Sequence, residues 1–336
     1  MISVLFGIQQ KIQMREGNVI MDIREKKKLF EENKSSLVYE SHLLTFKGVD
    51  GFDVYNCSVP FEWEGKTYMY GRVEKREQWA NSVVRLFEKT GEDSYNAVYN
   101  HMIYPLEDPF ISIVQGEFVL GGTHVRKRVG NLDTYYGYFY RGKDINDLNY
   151  FTTGPDYMKD IRLVDLRDGR IGVFSRPRND EITKKYGSGS MIGFTTIRSL
   201  DELTDDVIFN AEPVMGIFGK DEWGGCNQPI LLENGNIGVI GHQSYNEQTE
   251  NGNLSVYVNI AFELNPDKNE CCGTRVIGTR SCYPDGPAKR PGLIDCTFTS
   301  GIVSRTDGKA DLYGGMSDIS EGRIVIDYPF SAPEVK

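Results

Sequence analysis

The chain has 336 residues, 39% hydrophobic and 12% aromatic, enough for a large core and suited to sheet packing and sugar stacking. Its 48 Asp and Glu exceed its 38 Lys and Arg, giving a formal net charge of -10, which argues against nucleic acid or an anionic membrane as the main partner. Six cysteines without a CxxC pair and only four histidines (His42, His101, His124, His242) argue against a structural metal and fit reduced thiols in the cytoplasm.

The first apolar run, "MISVLFGIQQ", is too short to span a membrane, no small-residue cleavage site follows it, and no twenty-residue apolar stretch occurs elsewhere. Met21 precedes a natural helix start, so translation is expected to begin there. N-terminal sequencing of native protein beginning at residue 1 or 2 would refute that expectation. Residues 22–36, "DIREKKKLFEENKSS", read as a polar helix, and "SSLVYESHLLTFKGV" as strand that helps close a ring. Residues 1–49 thus form an N-terminal extension.

From residue 50 to 330 one phrase recurs. "EGKTYMYGR" (64–72), "QGEFVLGGT" (115–123), "DGRIGVFSR" (168–176), "NGNIGVIGH" (234–242) and "DGKADLYGG" (307–315) each pair a polar residue with Gly and then run through a strand-like stretch. Gly at the second turn position tolerates the positive φ of tight hairpins. The turn glycines, Gly65, Gly116, Gly169, Gly235 and Gly308, are 51, 53, 66 and 73 residues apart. Periods of that length are those of bladed propellers, so the expected fold is all-β, a five-bladed β-propeller with a short N-terminal helical segment. The units fall at 50–105, 106–155, 156–212, 213–267 and 268–330. "RNDEITKKYGSGS" (178–190) reads as a loop, either over a funnel mouth or on the solvated surface. "SLDELTDD" (199–206) is a helical or turn insertion on a blade's outer side, and 265–292 is a long irregular connection of the kind that serves a site or is disordered.

The stretch before each turn also repeats, opening on Asn56, Asp108, Asp160, Asn227 and Asp295. Inner strands of a propeller converge on the axis, so these residues are expected to share a funnel with Arg72, Arg176 and His242; the alternative is that polar residues merely mark strand ends. Asp108, in "EDPF", is the sharpest feature. A carboxylate held among apolar walls and other acids would stay protonated near neutrality, as a general acid must. Lys159, Arg162, Arg176, Arg126, His242 and Tyr245 add donors suited to a phosphate, Arg especially because its planar fork binds anionic oxygens in pairs. A surface ion pair is the alternative for each arginine. Neither GxxxxGK[ST] nor GxGxxG occurs, so no helix-borne nucleotide site is indicated.

"EDP" at an inner strand, "KDIRLVDLRDGRIGVFSRP", "GGCNQPILLENGNIGVIGH" and "DLYGGMSD" resemble the successive blade motifs of glycoside hydrolase family 130. "DVYNCSVPFEWEGKTYMYGRVEKRE" resembles the first blade of glycosyltransferase family 108, the β-1,2-mannosyltransferase/phosphorylases. The resemblance spans roughly residues 50–330. It implies inverting phosphorolysis, and reverse synthesis, of β-1,2-linked mannosides to α-mannose 1-phosphate. Asp108 then matches the catalytic acid, acting directly or through a sugar hydroxyl. Lys159, Arg176, His242 and Tyr245 match phosphate-side positions, and Asn56, Arg72, Glu74, Asp160, Asp295 and Asp318 match sugar-side or supporting ones. No metal or organic cofactor is implied; inorganic phosphate is the co-substrate and a β-mannoside oligosaccharide the partner. "EDPF" lacks the arginine that commonly follows "EDP", and "GGCNQP" replaces a smaller "GAPP"-like turn, departures that bear on linkage and aglycone.

Mannosyl transfer from a sugar nucleotide belongs to the same reading. An inverting hydrolase is the alternative; it needs a second carboxylate ~6.5–9.5 Å from the acid, for which Asp160, Asp295 and Asp318 are candidates. A sugar-binding module without turnover is a third reading. The cations of blades three and four favour phosphate.

Overall fold

The computed structural model describes residues 21–250 and 252–330. The expected start at Met21 concerns residues 1–20, which lie outside the described residues. The first element is a helix, Ile23–Leu37, capped by Asp22, whose side chain accepts from the Arg24 amide. Glu25 in its first turn and Lys34 in its last suit the helix dipole. Ile23 and Phe30, seven residues apart and so on one face, are its buried side chains.

Everything after the helix is predominantly antiparallel sheet arranged as five blades. Blade one centres on Lys66–Glu74 and Val83–Gly91; blade two runs from Glu107–Val114 outward to Asn149–Thr153. Blade three starts with Arg162–Asp165 and Ile171–Ser175, blade four with Glu222–Leu231 and Ile237–Thr249, blade five with Thr297–Ser304 and Lys309–Met316. The expected five-bladed propeller with a short N-terminal helix is therefore the fold. Val38–Leu43 pairs antiparallel with Ser320–Asp327 as the outer strand of blade five, so the chain's beginning closes the ring onto its end. Among the described residues no helix is long and apolar enough to cross a membrane.

The repeated turns work as their chemistry requires. Gly65, Gly116, Gly169, Gly235 and Gly308 have φ between 75° and 85°, and at Gly65, Gly116, Gly169 and Gly308 there is open space around the missing Cβ. Backbone conformation alone therefore asks for glycine there. At blades one and two the preceding Glu64 and Gln115 also have positive φ, the pattern of a type I′ hairpin.

Each pair of adjacent blades encloses its own apolar cluster. Tyr70 and Leu86 meet Leu120 and Tyr140 between blades one and two; Phe110 and Phe139 meet Leu163 and Ile171 between two and three. Phe174 and Phe194 meet Ile237 and Val258, with Ile23 of the helix, between three and four. Ile240 and Ala261 meet Leu312 and Ile324, with Phe30, between four and five, and Tyr313 meets Met69 and Phe87 where the ring closes. Alternating side chains on each strand thus face opposite blade interfaces, leaving the inner strand ends to define the axis.

Two expectations about connections change, and the expected helical or turn insertion at 199–206 is present. Within 265–292, Glu270–Gly278 is a strand, the outer one of blade four, because "RVIG" supplies apolar residues that pack on its sheet. Within 178–190, Asp180–Tyr186 is an exposed helix ended by Gly187 at φ 71°, while Ser188 and Ser190 are buried against the next blade. The 199–206 insertion forms short helical turns that bury Leu200, Leu203 and, just beyond, Ile208 beside blades two and three.

Candidate active site

Asn56, Asp108 and Asp160 occupy equivalent places at the start of blades one, two and three, and all three have left-handed backbone, with φ of 47°, 49° and 58°. Asn and Asp tolerate that region better than other side chains. A register break follows at Glu107/Phe110, and matching breaks occur at Cys226/Gln228 and Thr299/Gly301 in blades four and five. These bulges turn the strand-end side chains toward the axis.

Asp108 is the meeting point. Its Oδ1 accepts from Asn56 Nδ2 at 2.8 Å and from Arg72 Nη1 at 2.9 Å, and its Oδ2 lies 3.6 Å from Lys159 Nζ. Arg72 is the hub of a larger group. Its Nη2 is 2.9 Å from Glu107 Oε1 and 3.6 Å from Glu74 Oε2, its Nε donates to Ser82, and its guanidinium covers the Tyr55 ring. Glu74, fully buried, also accepts from Tyr55 and is ion-paired with Lys289. Burial pushes the Asp108 carboxyl upward, but the Arg72 and Lys159 charges with the Asn56 and Arg72 hydrogen bonds prevail and hold it well below the ordinary carboxylate range. The expectation of a protonated Asp108 is thereby corrected for the free site: the acids around it do not outweigh two cations in direct contact.

The upward shifts fall instead on its neighbours. Glu107 is raised by burial and by the Asp108 charge, against Arg72 and Lys159. Asp318, on the turn after Lys309–Met316, is raised by burial and by Asp108, against Arg72, Lys289 and Lys159. Four carboxylates thus face three cations, and this excess of negative charge favours proton uptake at Glu107 and Asp318.

A second wall comes from blades three and four. Asp160 Oδ2 accepts from Arg176 Nη1 at 2.6 Å, and Arg176 Nε donates to Ser190 Oγ at 3.0 Å. His242 Nδ1 is hydrogen-bonded to Asn227 Oδ1 at 2.8 Å, while its Nε2 lies 3.9 Å from Asp160 Oδ2. Burial, with Arg176, Lys159 and Arg162 nearby, drives the His242 imidazole down to about 3 against the pull of Asp160, so it is neutral. Lys159 stays protonated: burial opposes its charge, but Asp108 and Asp160 outweigh that. Asp160 Oδ1, His242 Nε2 and Asn56 Oδ1 are buried without a hydrogen-bond partner among the described residues. Such atoms are positions where a polyhydroxylated or anionic ligand gains partners at no loss to the protein. A Cβ at Gly225 would lie 2.9 Å from Asp160 Oδ2 and 3.0 Å from His242 Cε1, which accounts for the glycine in "GGCNQP". No group of three or more His, Cys, Asp or Glu among the described residues is arranged to hold a metal ion.

The comparisons with known proteins bear directly on this site. Residues 29–332 match the family described as a protein of unknown function, DUF1861. The chain belongs to that family. Over 94% of its length this DUF1861 member is 50% identical to a mannose phosphorylase from Leishmania mexicana solved in complex with phosphate ion, covering 96% of that chain with a TM-score of 0.87. It is 48% identical to a GDP-Man-dependent mannosyltransferase from the same organism, over 92% of this chain and 96% of that one, with a TM-score of 0.85. A β-1,2-mannobiose phosphorylase from Listeria innocua shares the fold at 16% identity, 87% and 96% coverage and a TM-score of 0.60. No curated protein matches the sequence. The resemblance to glycoside hydrolase family 130 and glycosyltransferase family 108 therefore holds.

The structure brings together Asn56, Arg72, Glu74, Asp108, Lys159, Asp160, Arg176, His242 and Asp318. Tyr245 and Asp295 lie elsewhere. Tyr245 is three residues beyond His242 on one strand and so faces the opposite side, where Arg24 of the N-terminal helix covers its ring. Asp295 pairs with Lys27 of that helix at 3.0 Å, because the turn Pro291–Leu293 leads the chain outward before the inner strand begins. Arg126 pairs with Asp133 on an exposed hairpin, and Arg162 is tied to main-chain carbonyls.

Two residues escaped sequence reasoning. Tyr257 stacks on His242 with ring centres 5.6 Å apart, and the charges of Arg176 and Lys159 act on its hydroxyl. Lys289, from the connection before blade five, reaches Glu74 and Tyr55. The length of that connection was the available signal for Lys289; nothing local distinguished Tyr257 from the other tyrosines.

Proposed function

We propose that this protein phosphorolyses β-1,2-linked mannosides with inversion, releasing α-mannose 1-phosphate, and runs the reverse synthesis. One observation carries the reading: Lys159 stands between the Asp108 carboxylate and the Arg176–Asp160–His242 wall, so a buried acid has a cationic pocket beside it. The similarity to a phosphate-bound mannose phosphorylase supports phosphate as the anion.

In this reading phosphate sits against Lys159 and Arg176, with His242 and Tyr257 completing its contacts, and the mannosyl group is held by Asn56, Arg72, Asp160 and Asp318, with Glu74 fixing Arg72. The arriving dianion takes up the Lys159 charge and adds its own, which raises the proton affinity of Asp108. A proton from the Glu107–Asp318 pair then resides on Asp108 and passes, directly or through a sugar hydroxyl, to the glycosidic oxygen. A phosphate oxygen attacks C1 from the opposite face as the C1–O bond breaks. Products are α-mannose 1-phosphate and the shortened acceptor, and Asp108 is left ionised. The chain's likeness to a GDP-Man-dependent enzyme extends the proposal to transfer from a sugar nucleotide. All six cysteines are unpaired, which supports a cytoplasmic setting.

The test is incubation with β-1,2-mannobiose, with and without phosphate, assaying mannose 1-phosphate, with Asp108→Asn alongside. Phosphate-dependent product that falls by about 10²-fold or more in the variant is expected. Free mannose formed regardless of phosphate would make the protein a hydrolase and overturn the reading. GDP-mannose supplied with an acceptor tests transfer in the same format.

A further inference from the structure

A separate cavity of about 190 Å³ lies among the inner strands, lined by residues from every part of the ring, from Val59 before the blade-one turn to Ser300 of blade five. Its position on the axis follows from that lining, since inner segments of all five blades converge nowhere else. Its walls are largely apolar, including Phe110, Ile111, Leu163 and Pro229. Into this setting blade three places Arg162, only 4% exposed.

Arg162 makes no direct ion pair among the described residues, although the charges of Asp160 and Asp108 act on it through space. Its Nε donates to the Asn227 carbonyl at 2.8 Å, its Nη1 to the Ile161 carbonyl at 2.9 Å, and its guanidinium covers the Phe110 ring at 4.6 Å. Among the described residues no carboxylate lies within ion-pairing distance of it, and Asp160, two positions away in sequence, is engaged by Arg176. Burial pulls the Arg162 guanidinium below its usual range, and the more distant charges of Asp160 and Asp108 only partly offset it. A buried cation without a directly paired anion is expensive, and proteins ordinarily supply one.

The other polar groups around the cavity are donors awaiting acceptors. Asn227 is 3% exposed; its Oδ1 serves His242, and its Nδ2 has no partner among the described residues. Gln228 accepts from the Ile302 amide through Oε1, which leaves its NH₂ group to donate. Ser112 Oγ is likewise buried and unpartnered. One positive charge, neutral N–H and O–H donors and apolar walls match a small, weakly hydrated ion of single negative charge.

We propose that the axial cavity binds a monovalent inorganic anion of halide size, chloride under ordinary conditions, held by Arg162 with Asn227, Gln228 and Ser112. The ion neutralises the buried guanidinium and ties three blades together at the axis. Because Asn227 also holds His242, occupancy fixes the orientation of that imidazole. This site is separate from the pocket assigned to phosphate, and its test does not depend on turnover.

The experiment uses the full chain in chloride-free buffer, with sodium gluconate holding ionic strength constant. Chloride titrated in should raise Tm along a saturating curve, by about 4 °C at a hundredfold excess over Kd. Crystals grown in gluconate and soaked in bromide should give an anomalous peak beside Arg162. Arg162→Met should abolish the saturable rise. Should that variant fail to fold, Ser112→Val, which removes one donor and leaves the cation, should shift the midpoint about fivefold to higher chloride. Superimposable melts in chloride and gluconate, or bromide peaks confined to the outer surface, would show an axial cavity filled by water alone.

Discussion

Lys159→Met separates two consequences of one charge. The Lys159 ammonium is 3.6 Å from Asp108 Oδ2, and its side chain is 30% exposed. Unit charges about 4 Å apart interact by about 1 kcal/mol in water and about 4 kcal/mol at an effective dielectric of about 20. A partly exposed pair lies between these limits, at about 2 kcal/mol, which corresponds to about 1.5 pH units in the proton affinity of the carboxyl. Lys159 also holds down Glu107 and Asp318. Removing the cation should therefore raise the proton affinity of the whole carboxyl group and move the alkaline limb of kcat/KM, which reports the free enzyme, upward by about one unit or more. The same substitution deletes a charge-assisted hydrogen bond to phosphate worth about 1.5–3 kcal/mol, so the KM for phosphate should rise by about 10- to 100-fold. The assay is the initial rate of mannose 1-phosphate release against phosphate concentration at a series of pH values. An unchanged phosphate KM, or a limb that moves to lower pH, would refute the placement of Lys159 between acid and anion.

Tyr257→Phe should raise the phosphate KM by about five- to tenfold, whereas Tyr245→Phe should leave it unaltered; equal effects would contradict their assignment to opposite strand faces. Lys289→Met breaks a buried pair with Glu74 and should cost about 3–5 kcal/mol, lowering Tm by about 4–7 °C for a chain of this size in scanning calorimetry. Glu321 is fully buried between Ser300 and the Cys57 amide, and burial pushes its carboxyl up to about 7. The folded chain then keeps a proton that the unfolded chain releases, so stability should fall by about 3 kcal/mol as pH rises from about 4.5 to about 7. Urea midpoints at pH about 5 and about 8 would measure that slope, and Glu321→Gln should flatten it; an undiminished slope in the variant would assign it to other groups.

The repeat was legible because turn chemistry is local. A polar residue followed by Gly favours a tight turn, and five such pairs, each leading into a strand and spaced 51 to 73 residues apart, encode five blades. Asn56, Asp108 and Asp160 were legible for the same reason, being equivalent positions of that repeat with the same left-handed backbone. The helix too was readable from its cap and its polar surface.

What the residues alone could not convey depended on partners distant in the chain. His242 pairs with Asn259, and Ser244 with Tyr257, so cross-strand register brings Tyr257 to the face of His242 and sends Tyr245, opposite Val256, to the other. Lys289 reaches Glu74 across 215 residues of sequence, and the helix draws Asp295 away to Lys27. The protonation of Asp108 was decided in the same way. Its own neighbours in sequence are an acid and a proline, but Arg72 and Lys159, from the blades on either side, set its charge. Sequence by itself determined the blades, the strand-end acids and the kind of chemistry they suit, because those follow from φ preferences and alternation over a few residues. Tertiary structure decided which groups share the pocket and which carboxyls are pushed up or down, because burial and charge act through space over a few ångströms regardless of chain separation.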